Sequence, residues 1–300
     1  MITNEKGLPQ PLVDAVANDP YDKGGCDYSA TELIAPPHQR ILLRKHKDEI
    51  RVDASSRIWS LFGQSVHSVL ERANGLGYVV ERRYVSKFNI GGKDVTVGAK
   101  IDVLDTYQGI LSDYKTTSVY KFKADPRTGE VAIPKEFEAQ INIQAFCIFA
   151  ETGVIVGRGQ IVGILRDWRR SESLRESGYP KHMVETMEIP IWNTGRQYNY
   201  IAERLLLHMA PRPAPCSSEE MWERPDTWAL MKDGQKRAVK LYPSEEAAAS
   251  AVIGMGGQDN GYTIAKRQGA RARCDGYCDV AAFCQQYQQY LGKSEVELPF

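Results

Sequence analysis

The sequence is expected to fold as an α/β protein, with one mixed central sheet flanked by helices and further helical parts towards both ends. Three observations predict it. β-branched runs at 78–89, 95–105, 110–116 and 154–166 read as strands. Apolar residues recur at helical spacing across 53–74, and 134–151 reads as a second long helix closed by Gly153. The order is helix, antiparallel strands, helix, strand, helix, which suits one sheet covered by helices.

Residues 1–27 read as an irregular lead-in, and 29–47 as two short helices parted by Pro36 and Pro37. In the 53–74 helix, Trp59, Leu61, Phe62, Val66, Val69, Leu70 and Ala73 carry the periodicity, while Gly63, His67 and Glu71 stack along one stripe. The first strand, 78–89, runs to the turn at Gly91 and Gly92; 95–105 and 110–116 are joined by Thr106, Tyr107, Gln108 and Gly109. After the 154–166 strand come a helix at 195–209, a Pro-rich linker at 211–225, a helix at 244–256 and a closing segment at 274–291. Three regions are expected: an N-terminal lead-in and helical part (1–54), a core (55–210), and a linker with a cysteine-bearing C-terminal part packed on that core (211–300).

Lysines plus arginines and aspartates plus glutamates both number 38, so the formal net charge is zero. Affinity for a polyanion would have to come from local patches. Candidates are Arg44, Lys45, His46 and Lys47; Arg82 and Arg83; Arg166, Arg169 and Arg170; and Lys266, Arg267, Arg271 and Arg273. No apolar run reaches the roughly 18 residues of a membrane span, and residues 1–22 lack a signal-peptide core. A cytoplasmic location is expected, so the six cysteines should not be disulfides.

The most informative segment is 98–117. A turn centred on Tyr107 and Gln108 pairs Asp105 with Ile110 and sets Asp102 opposite Asp113, with Lys115 two residues on along the same face. Two facing carboxylates repel unless a cation lies between them. Hard oxygen donors suit Mg²⁺ or Mn²⁺, and a neighbouring lysine can hold water or stabilise charge on a phosphate. A solvated sheet face is the alternative, but both aspartates interrupt apolar runs.

Ile101-Asp102 followed by Asp113-Tyr114-Lys115-Thr116 resembles the PD-(D/E)XK nuclease superfamily, in particular its RecB-like branch. Gly63, His67 and Glu71 resemble that branch's helical histidine motif, and Gln140 to Gln144 its Gln-x-x-x-Tyr motif. Ile101 stands where the superfamily name has proline, Asp113 where glutamate is more frequent, and Gln144 where the branch has tyrosine. The resemblance implies a restriction-endonuclease-like core and metal-dependent hydrolysis of DNA. His67, Asp102, Asp113 and the Tyr114 carbonyl would ligate the ion, Lys115 would position water, and Gln140 would steady Lys115 or contact DNA.

Cys274, Cys278 and Cys284 place three thiols within eleven residues, a spacing that suggests a metal site. Thiolates select zinc or an iron–sulfur cluster. The triplet resembles that of RecB-like nucleases of CRISPR adaptation and AddB subunits, which hold a four-iron (4Fe–4S) cluster with one N-terminal cysteine. The resemblance implies Cys26 as fourth ligand, with His38 the alternative. Cys147, among Phe146, Ile148 and Phe149, reads as core, and Cys216 receives no role. The expected activity is an exonuclease acting on single-stranded or duplex DNA ends, with a protein partner in recombination or replication. The rivals are a structure-specific endonuclease and a non-catalytic DNA-binding or assembly subunit stabilised by the metal–cysteine cluster.

Overall fold

A computed structural model describes the chain except Tyr21, Asn74, 257–259 and 293–300. It is a mixed α/β structure whose residues divide into two compact units: Met1–Ala35 with Arg51–Pro213, and Pro36–Ile50 with Ala214–Phe300. The first 35 residues therefore belong with the core and are no separate N-terminal part, because Tyr28–Ser29 pairs as a short parallel strand with Val97 and Gly98. The expected C-terminal part, which includes residues outside the described ones, gains the Pro37–Lys45 helix.

The first unit carries a five-stranded mixed sheet. Its order is Val184–Ile189, Arg158–Leu165, Ile110–Thr117, Val103–Asp105, Tyr78–Val80, and only the Ile110–Thr117 and Arg158–Leu165 pair is parallel. A second sheet holds Tyr28–Ser29, Lys93–Lys100 and Arg83–Ile90. The helix Lys135–Thr152, hereafter the glutamine helix, packs on both sheets and ends where Gly153 turns left-handed at φ 74°. Its residues Ile141 and Ile148 join Leu111, Ile161, Ile201 and Leu205 in the core. The sheet admits this close packing through glycine: a Cβ at Gly159 would lie 2.5 Å from Ile141.

Two strands expected to be continuous are broken at one level. The first splits into Tyr78–Val80 and Arg83–Ile90, the second into Lys93–Lys100 and Val103–Asp105. At the break Glu81 N–H donates to the Asp102 carbonyl at 3.0 Å and Ile101 N–H to the Arg82 carbonyl at 2.9 Å. The chain thus passes from one sheet to the other at a corner, and Glu81 makes the bend with φ 53°. The 53–74 helix also starts later than read. The Asp53 carboxylate accepts from Ser55 N–H and holds one tight turn, and the α-helix proper is Ile58–Leu70, the histidine helix below. The reading's end point, Asn74, lies outside the described residues.

In the second unit, Thr227–Lys232 lies between Lys240–Tyr242 and Tyr262–Arg267 in a small antiparallel sheet covered by the helix Glu245–Gly254. This sheet, like the strand Val184–Ile189, escaped the pattern reading. No helix among the described residues is long and apolar enough to cross a membrane.

Candidate metal centre

The hairpin register is the one its turn predicts. Asp105 pairs with Ile110, Leu104 with Leu111 and Val103 with Ser112, so Asp102, one residue beyond the strand, is level with Asp113. Asp102 turns towards the strand opposite, where Tyr114 N–H donates to its Oδ2 at 2.6 Å. The bond fixes the carboxylate without using Oδ1, which faces the histidine helix.

That helix approaches the sheet closely because Gly63 lacks a side chain; a Cβ there would lie 3.3 Å from Thr116 Oγ1. One turn later, His67 Nδ1 stands 3.4 Å from Asp102 Oδ1 and 3.5 Å from Glu81 Oε1. His67, Glu81 and Asp102 form the one group of at least three His, Cys, Asp or Glu donor atoms mutually within 4.8 Å among the described residues. Glu81 was missed. It lies twenty residues upstream of the hairpin motif, in what reads as unbroken strand, and only the sheet-switching corner turns it inward. A left-handed, non-glycine backbone at a functional site is the signal that would have found it, and sequence does not display φ.

Asp113 is buried at 1% exposure beside this group. Its Oδ2 forms an ion pair with Lys115 Nζ at 2.5 Å. Gln140 Nε2 donates to its Oδ1 at 2.5 Å, and Gln144 Nε2 donates to the same oxygen at 3.3 Å and to the Lys100 carbonyl at 3.2 Å. Gln140 therefore steadies Asp113 and not Lys115, and Gln144 shares that task. The glutamine replacing the tyrosine of the resembled motif thus has a clear local role. Glu71 is exposed and only ends the histidine helix.

The charges of this group set one another's protonation. Hydrogen bonds to Asp102 and then Glu81 raise His67 to about 10, so its ring is protonated at neutral pH. Burial pulls Glu81 upward, but bonds from His67 and Lys100 outweigh it and leave its carboxyl below the usual range. Burial pushes the Asp113 carboxyl above its usual range; the Lys115 charge opposes this and the Asp102 charge adds to it. His67 thus faces the carboxylates of Asp102 and Glu81, while the ammonium of Lys115 faces that of Asp113. One imidazole and two carboxylates fit Mg²⁺ or Mn²⁺. Asp113, expected as a ligand, lies outside the tight group of three.

Several residues of the candidate basic patches are spent on neighbours. Arg82 pairs with Glu151, Lys266 with Asp226, Arg271 with Glu223, and Arg83 donates to the Asp22 carbonyl. Arg166 instead lies over the Trp59 ring, 4.3 Å from its centroid. Trp59 and Phe62 meet edge to face on the histidine helix and are 57% and 44% exposed. Asp167 accepts from Ser118 Oγ and Val119 N–H and so holds the loop that follows the Lys115 strand, while Trp168 donates to the Pro180 carbonyl.

The cysteines separate. Cys147 is core and donates to the Val97 carbonyl at 3.8 Å. Cys26 is buried in the first unit against Gly98, where a Cβ would lie 2.7 Å from its sulfur. Cys274, Cys278 and Cys284 belong to the second unit.

No family model matches the sequence, and no curated protein matches it. A solved structure, the crystal structure of SSO0001, is similar over 69% of this chain and 90% of its own, with 17% identity and a TM-score of 0.45.

Proposed function

We propose that the protein is a Mg²⁺- or Mn²⁺-dependent deoxyribonuclease of the PD-(D/E)XK type, acting on DNA ends. The observation that carries the reading is the convergence of His67, Glu81 and Asp102 within 4.8 Å, beside the Asp113–Lys115 ion pair. The protein would hold the ion through His67, Glu81 and Asp102, with Asp113 next to it. The bound ion supplies polarisation of the phosphodiester and acidification of water.

The chain's own groups do the rest. Asp113, clamped by Gln140 and Gln144, keeps Lys115 aimed at the site. Lys115 then orients the attacking water and offsets negative charge growing on the phosphate. One P–O bond forms from that water, the bond to the leaving sugar oxygen breaks, and that oxygen takes a proton. Asp102 and Asp113 stand on or beside paired strands, so the geometry is rigid before substrate arrives.

End-directed action is favoured by the aromatic pair. Trp59 lies two turns before His67 on the same helix, about 12 Å along its axis. Exposed Trp59 and Phe62, with Arg166 stacked on the former, offer faces for the bases of a frayed single strand.

The test is cleavage of linear, circular, single-stranded and branched DNA with Mg²⁺ or Mn²⁺. Linear and single-stranded substrates are expected to be degraded from their ends. Asp113→Ala or Lys115→Ala is expected to lower the rate by at least about 10²-fold, with DNA binding retained. Unchanged rates in both variants would overturn the assignment, and efficient cutting of closed circles would replace end-directed action with endonucleolytic action.

A further inference from the structure

The thiols that the nuclease reading leaves unused converge inside the second unit. Cys216, Cys274, Cys278 and Cys284 line one cavity with His38 and Val280, and all six residues belong to that unit. The short strands Glu223–Arg224 and Ala270–Arg271 pair antiparallel and draw the 216–222 segment against 272–287. Gln286 then fixes Cys216: its Oε1 accepts from Cys216 N–H at 2.9 Å and its Nε2 donates to the Cys216 carbonyl at 2.8 Å. Ala281 N–H bonds to the Cys278 carbonyl and Cys284 N–H to the Ala281 carbonyl, so two thiols are carried on two successive tight turns.

The four cysteines are free. In addition, His38 Nδ1 is buried with no hydrogen-bond partner. Such convergence of soft donors around a cavity is the composition of a metal centre.

Spacing selects the kind of centre. A single zinc ion with Zn–S bonds of about 2.3 Å needs its sulfurs about 3.8 Å apart. No three of these donor atoms lie mutually within 4.8 Å. A cluster in which each cysteine binds its own iron suits the wider set.

We propose that Cys216, Cys274, Cys278 and Cys284 hold an iron–sulfur cluster contained wholly in the second unit, with Cys216 and not Cys26 as the fourth ligand. Cys26 has a sufficient role elsewhere, filling the space that Gly98 leaves. The inference does not depend on the nuclease reading, because its test measures metal and colour.

Full-length protein purified without oxygen is expected to be brown, to absorb at about 400 nm, and to contain about four irons per chain. Cys216→Ser is expected to lose the colour and most of the iron, while Cys26→Ser and His38→Ala keep both. Should Cys216→Ser fail to fold, iodoacetamide labelling of the native protein before and after iron chelation answers the same question. Cys216 is expected to become reactive together with Cys274, Cys278 and Cys284, and Cys26 to stay unlabelled. Colourless protein loaded with zinc, loss of iron in Cys26→Ser with retention in Cys216→Ser, or release of Cys26 in place of Cys216 on chelation would each overturn the proposal.

Discussion

Glu81 is both a strained residue and a candidate metal ligand, so glycine and alanine at this position separate its two roles. A left-handed backbone costs an L-residue about 1–2 kcal/mol, and Glu81 sits at φ 53°. Glu81→Gly removes that cost and returns about 0.4–1 kcal/mol through the freer unfolded chain. Glu81→Ala keeps the strain. Both variants lose the contacts to His67 and Lys100 equally. Glu81→Gly should therefore be the more stable of the two by about 0.5–1 kcal/mol. For a unit the size of Met1–Ala35 with Arg51–Pro213, this places its melting midpoint about 1–4 °C above that of Glu81→Ala. Removing a carboxylate from the His67–Glu81–Asp102 group should weaken Mn²⁺ binding at least about tenfold in both. The assays are thermal unfolding of the metal-free variants and calorimetric titration with Mn²⁺. Glu81→Ala melting at or above Glu81→Gly would refute the strain argument. Mn²⁺ binding of parental strength in either variant would refute the ligand argument.

His67 supplies a pH signature. Its bonds to Asp102 and Glu81 raise it to about 10, and a ligating imidazole must be unprotonated, so Mn²⁺ uptake at neutral pH should expel close to one proton and tighten as pH rises towards that value. Titrations in buffers of different ionisation enthalpy read this directly, and identical heats in both would contradict it. In the metal-free protein the same raised value means stability that is complete below the unfolded pKa of about 6.5 and lost as pH climbs through about 10. His67→Gln should flatten thermal midpoints across that window; an unchanged slope would exclude His67 as its source. Packing of Cys26 is testable by overfilling. Gly98→Ala puts a Cβ 2.7 Å from the Cys26 sulfur and should cost about 1–3 kcal/mol, most of it recovered in the double variant with Cys26→Ala. Additive losses measured by denaturant unfolding would show that the two do not share that space.

How much was legible follows from the range over which each cause acts. The Asp102–Asp113 register could be read from sequence because a hairpin's turn dictates its pairing locally. Lys115 then follows from the two-residue period of a strand, and the His67 stripe from helical periodicity. Gln140 was found through its motif, but its partner was not: a helix-to-sheet contact depends on how close the helix comes, and glycines such as Gly159 decide that.

By itself, the sequence determined the α/β class, the pairing of the two aspartates, the lysine beside them and a core place for Cys147. Only the tertiary structure decided that Glu81 meets His67 and Asp102 and that Cys216 shares a cavity with the other thiols. Each was assigned by contacts between residues distant in the chain: a strand pair that changes sheets in one case, and a short antiparallel pair with a glutamine clasp in the other. Local pattern carries no information about which distant segments meet, and both of these sites exist only where such segments do.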